Sequence, residues 1–297
     1  MRYSCLAIAA IRIVLVLAGP SARAEDAAAA QTESVAIVPG MIDPDFAPRL
    51  GTYHYRFHWF LRIGADAEIE IRRSNGYYHI STYVKTGWFV DRFYRFRFRG
   101  EAVLKAADLA PIRVDMSEEI RSTRKRTSME YRGSEIHSKR VKRKKDKEPR
   151  RESYRQSTRE GRVSDPFSAT LIARAISWQE GDRRSIDIFD GRRLNRVVMD
   201  CRGKTSIEVE DEDRSVWEIK LTVTQGDPEN LDEDDELITD QIIAYLAADN
   251  SREVLQLDAD TKFGGIKVVM ESFEPADSDE SDSALSRLER SRDSIQD

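Results

Sequence analysis

Between Tyr53 and Arg72 the chain keeps a strict beat of two. Tyr53, Tyr55, Phe57 and Trp59 alternate with His54, Arg56 and His58. After Gly64 the beat resumes, with Ala65, Ala67, Ile69 and Ile71 set against Asp66, Glu68, Glu70 and Arg72. Further on, Tyr94, Phe96 and Phe98 alternate with Arg95, Arg97 and Arg99. Successive side chains of a strand point to opposite faces, so this pattern gives one apolar face and one wet face. Parallel strands are covered on both faces and read as continuous apolar runs, so the alternation points to antiparallel sheet. Ser74-Asn75-Gly76 supplies a hairpin turn, because Asn-Gly accepts the positive φ values a two-residue connection needs. Further strands are expected around 112–119, 125–138, 183–188, 193–201, 204–210, 214–224, 238–247, 253–258 and 264–273.

One segment breaks the beat. Ser164-Asp165-Pro166-Phe167 opens a stretch in which Phe167, Leu171 and Ile172 form one apolar stripe of helical spacing. Ser164 or Asp165 can cap it, and Pro166 suits a first turn, where a missing N–H costs nothing. The fold class expected is therefore mainly β: a large curved antiparallel sheet or open half-barrel with one short helix packed against it.

The ends have a different character. Arg2, an apolar stretch from Cys5 to Gly19, and Ala22-Arg23-Ala24 have the layout of a secretory signal cleaved after residue 24. The apolar stretch is short of the roughly 20 residues a spanning helix needs and carries Arg12. Removing residues 1–24 takes away Arg2, Arg12 and Arg23 and moves the formal charge from −5 to −8. It also removes Cys5, so Cys201 is left without an internal disulfide partner and the core must hold the fold. Residues 25–50 are rich in Ala and Pro and read as a linker. Residues 51–274 form a single β-rich domain, and 275–297 read as an acidic, disordered tail.

The order of elements resembles a known family. The carriers of the resemblance are YHYRFHWFLRIGADAEI, YYHISTYVKTGWFVDRFYRFRFRGE, DPFSATLIAR, GDRRSIDIFDGRRLNRVVMDCRGK and AYLAADNSREVLQLDADTKFGGIKVVMESFE. Over roughly residues 52–274 the chain is similar to bacterial exported proteins of domain-of-unknown-function family 3108. The resemblance implies a periplasmic, β-dominated domain and carries over no catalytic residues.

Catalytic and metal motifs are sparse. His54 and His58 share one strand face, but their Cα atoms would stand roughly 13 Å apart at about 3.3 Å per residue. Zinc binds nitrogen at about 2.0–2.1 Å, so the two cannot share one ion. There is no G-x-S-x-G, H-E-x-x-H or phosphate loop. Cys201 reads as a small buried residue. The acidic run 226–236 lacks the central Gly of a calcium loop and reads as solvated. No cofactor is expected, and a non-enzymatic role is favoured.

The strongest charged feature is SKRVKRKKDKEPRR, Ser138 to Arg151, expected as the tip of a long hairpin. Arg140, Lys142, Arg143, Lys144 and Lys145 are its candidate anion or partner contacts. No aromatic residue lies between Lys139 and Arg151 on which a base could stack, which with export argues against nucleic acid. Tyr55, Phe57, Trp59, Phe96 and Phe98 are candidates for an apolar groove, if they are not simply core. The expectation is an exported envelope β protein, peripheral to the membrane at most. It would bind a lipid-like or anionic component, an extended peptide or a partner protein. Rivals are a scaffold without a small ligand and an envelope hydrolase with a dispersed site.

Overall fold

A computed structural model describes residues 34–59, 62–92, 95–145, 147–158, 163–225, 239–261 and 264–276. The segment expected as a signal sequence, the acidic run at 226–236 and the tail beyond residue 276 lie outside the described residues. The strands are β1 (Val35–Ala36), β2 (Gly51–Trp59), β3 (Arg62–Ser74), β4 (Tyr77–Thr86), β5 (Phe96–Lys105), β6 (Pro111–Ile120), β7 (Thr123–Arg132) and β8 (Glu135–Lys144). They continue as β9 (Arg150–Ser157), β10 (Val163–Ser164), β11 (Arg183–Phe189), β12 (Leu194–Val209), β13 (Glu212–Gln225), β14 (Thr239–Ala247), β15 (Val254–Thr261) and β16 (Gly264–Pro275). Two α-helices interrupt them, the four-residue α1 (Trp88–Asp91) and α2 (Pro166–Ala175).

All sixteen strands join one sheet, ordered β1-β11-β12-β13-β14-β15-β16-β2-β3-β4-β5-β6-β7-β8-β9, with β10 also on β11. The sheet is antiparallel except where β1 and β10 lie parallel on β11, which makes it mixed. It is not closed into a barrel. The β11 edge is covered by those two short strands, whereas β9 pairs only with β8 among the described residues. Within 25–50, the chain is held down by more than β1: Ile42 bridges Ile176, and Asp43 pairs with Arg252 at 2.7 Å.

The alternation does what period two requires. Tyr53, Tyr55 and Phe57 point to the buried face, while His54, Arg56 and His58 stay half-exposed. Asn75 (φ 51°) and Gly76 (φ 80°) make the expected hairpin turn between β3 and β4. Contacts across the covered face curl the sheet. The Phe167 ring of α2 lies where a side chain at Gly100 of β5 would stand, so only glycine lets helix and strand approach this closely. The β11–β12 turn reaches strands near the opposite end of the order, and Ser138 Oγ of β8 donates to Gly191 O at 2.6 Å.

Three expectations are corrected. Residues 125–138 are not one strand but the end of β7, a turn at Gly133-Ser134, and the start of β8; Gly133 takes φ 59° there. Residues 193–201 and 204–210 are not two strands but the single β12, bent by a bulge between Cys201 and Gly203 (φ 113°). The basic run is not a hairpin tip along most of its length. Lys139–Lys144 complete β8 and Arg150 starts β9, so only the short connection between them is turn.

Helix α2 starts as its sequence dictates. Asp165 Oδ1 accepts from the backbone N–H groups of Phe167 (2.7 Å) and Ser168 (3.2 Å), and Asp165 N–H donates to Ser168 Oγ (3.1 Å). Asp165 is fully buried, and that burial pushes its carboxyl above the usual 3.8 in spite of these bonds. The native state therefore holds this proton more tightly than the unfolded chain. The cost of ionising Asp165 is absent below the unfolded value and grows as pH rises through the raised one. Asp165→Asn keeps the capping oxygen without the charge. Its stability relative to the parent, measured by urea unfolding, is expected to rise as pH is raised above the usual carboxylate value of 3.8.

Candidate functional site

At one end of the sheet three connections are stitched side by side. Arg121 N–H, in the β6–β7 turn, donates to Arg95 O in the β4–β5 connection at 2.9 Å. Lys145 N–H, in the β8–β9 turn, donates to Ser122 O at 3.2 Å. An open cleft of about 740 Å³ forms beside these turns. Its cations are Arg121, Arg124, Arg143, Lys144, Lys145 and Lys147, and its acids are Glu119 and Glu148. Glu119 is shared between two guanidiniums, Arg124 at 3.2 Å and Arg95 at 3.4 Å, so it offsets little of the positive charge.

The structure divides the five basic candidates. Arg143, Lys144 and Lys145 line the cleft. Arg140 and Lys142 do not; they lie on the face of β8 that carries the buried Ile136 and Ser138, further from the strand end than Lys144. There Arg140 stands opposite Thr127 and Glu152, and Lys142 opposite Lys125 and Arg150. Arg121 and Arg124 also line the cleft and do not stand out in the sequence. The available signal was the Thr123-Arg124-Lys125-Arg126 cluster, which shows no relation to the later basic run until β7 pairs with β8.

The aromatic candidates lie inward. Phe57, Phe96 and Phe98 are buried in the core. Tyr55 donates its hydroxyl to Val254 O at 3.1 Å, and full burial pushes that hydroxyl far above its ordinary pKa. The Trp59 side chain lies outside the described residues. Tyr55 also lines an apolar cavity of about 90 Å³ between α2 and the sheet. A water occupies about 30 Å³ of liquid, and ligand pockets run to about 300 Å³ or more, so α2 has nearly filled this space.

Among the described residues, the remaining cysteine and histidines have ordinary surroundings. Burial pushes the Cys201 thiol up, away from thiolate chemistry. His54 and His137 face Glu274 (3.4 Å) and Glu135 (3.0 Å), and His79 faces Ser74 Oγ (3.0 Å). Among the described residues no three or more His, Cys, Asp or Glu gather as a metal site, and no helix is long and apolar enough to cross a membrane.

A family model for a protein of unknown function (DUF3108) matches residues 52–271. Among solved structures, the chain is similar to a beta-barrel-like protein of domain of unknown function DUF1849 from Brucella abortus. That match has 12% identity and a TM-score of 0.49, covering 78% of this chain and 100% of the other. A candidate lipoprotein from Parabacteroides distasonis matches at 8% identity and a TM-score of 0.30, covering 77% of this chain and 97% of the other. No curated protein matches the chain.

Proposed function

This chain belongs to the DUF3108 family of proteins of unknown function, and on that premise we propose that it is an exported β protein of the cell envelope that binds an anionic, phosphate-bearing component at the basic cleft. The observation that carries this reading is the gathering of six cations against two carboxylates in one open cleft. Such a surface attracts and holds polyanions by summed charge, without a shaped pocket. No reacting groups are required, only cations fixed by paired backbone at the strand ends. An apolar ligand is less well supported, because it would have to displace α2 from the sheet.

The test uses the chain from Glu25 to Asp297 and two probes, soluble polyphosphate and vesicles containing phosphatidylglycerol. Both are expected to bind with affinities that fall steeply as salt is added. Arg143→Glu together with Lys145→Glu should weaken both by roughly tenfold or more, equivalent to about 1.4 kcal/mol per factor of ten. Unchanged affinity for both probes in a folded variant would remove the reading.

A further inference from the structure

Among the described residues the most exposed large apolar side chain is Trp88, at 77%. Its position is not arbitrary. It opens α1 in the β4–β5 connection, the same connection whose Arg95 O accepts from Arg121 N–H at the cleft. Trp88 and the cleft cations therefore lie on one rim of the sheet, across the strand ends. The rim is held in place from beneath. Asp91, the last residue of α1, accepts from Arg97 at 2.8 Å and from the Thr86 hydroxyl, and its N–H donates to Gly87 O at 2.9 Å.

We propose that this rim seats on an anionic lipid bilayer, with Trp88 entering the headgroup level and the surrounding cations meeting lipid phosphates. The inference rests on the anion-binding reading and selects its source. An indole has an apolar body and a polar N–H, and membrane–water interfaces are where that combination is enriched. A soluble polyanion would engage Arg124, Arg143 and Lys145 equally well but has no use for the indole. A bilayer uses both, since an apolar anchor and basic side chains together hold a protein where either alone is weak. The strands would then stand end-on to the membrane, and the β3–β4 and β7–β8 turns at the other end would face away.

The test is Trp88→Ser in the chain from Glu25 to Asp297. Trp88 is 77% exposed, and the unfolding midpoints of parent and variant are compared so that a loss of binding is told apart from a loss of fold. Binding is read by co-sedimentation with vesicles of equal parts phosphatidylglycerol and phosphatidylcholine, and by titration with soluble polyphosphate. We expect about tenfold weaker vesicle binding and unchanged polyphosphate binding. Brominated lipid should quench the parent's tryptophan emission more than the variant's. Equal vesicle binding by parent and variant, or equal quenching, would overturn the inference. A parent that binds polyphosphate but not vesicles overturns the membrane assignment alone. A parent that binds neither removes the anion reading with it.

Discussion

Arg174→Ala should destabilise the protein by about 3–4 kcal/mol, among the largest effects of any single truncation in this chain. Arg174 sits in the last turn of α2 and is 5% exposed. Its Nε donates to Arg252 O at 3.0 Å and its terminal nitrogen to Ser251 O at 3.1 Å, tying the helix to the β14–β15 connection. The guanidinium also lies over Tyr53 and Phe46, 5.6 and 5.8 Å from the ring centroids. One side chain thus joins the helix, the sheet and the segment preceding β2. Truncation leaves two carbonyls without their charged donor and opens space between two rings. Arg174→Lys keeps the charge but not the fork, and should recover less than half of the loss. Urea unfolding of the three proteins measures this. Equal stability of the alanine variant and the parent would show that the helix is held by apolar packing alone.

Gly191→Val is expected to cost about 2–5 kcal/mol, from two separable causes. The residue has φ 93°, a conformation that costs a side-chain-bearing residue about 1–2 kcal/mol. A side chain there would also collide with Thr127 Cγ2 and crowd Ser138 Oγ, adding about 1–3 kcal/mol of overpacking. Gly133→Ala provides the comparison, since Gly133 also has positive φ (59°) but open space around it. It should lose only the backbone part. A Gly191→Val loss no greater than that of Gly133→Ala would mean that the β11–β12 turn does not bear on β7 and β8.

The elements legible in the sequence were those written in local terms. The beat of two around Tyr53, the Asn75-Gly76 turn and the Asp165-Pro166 start of α2 each depend on neighbours within a few residues. Residues 125–138 read as one strand because Gly133-Ser134 is a weak turn signal inside a polar stretch with no strong apolar beat. The basic run reads as a hairpin tip because Lys and Arg suggest loop, whereas pairing with β7 and β9 makes most of it strand. Two of the six cleft cations are invisible in the sequence for a different reason. Arg121 and Arg124 meet Arg143 and Lys145 only through the hydrogen bond from Lys145 to Ser122 and the β7–β8 register, neither of which leaves a mark in a single sequence. The fate of the aromatic candidates depended on what covers them, and that was the packing of Phe167 against Gly100.

The two edges of the sheet differ in how they resist templating. The β11 side is physically occupied by β1 and β10. Among the described residues the β9 side has no further strand on it, and it carries Arg150, Arg151 and Arg155 against the single acid Glu152. An unpaired strand invites a second copy, and like charge acts as its gatekeeper. Such protection is only as long as the electrostatic range of the solvent, about 8 Å at physiological ionic strength and about 3 Å at 1 M salt. Colloidal stability at this edge is thus a property of the medium as much as of the fold, whereas at the β11 edge it is built into the chain.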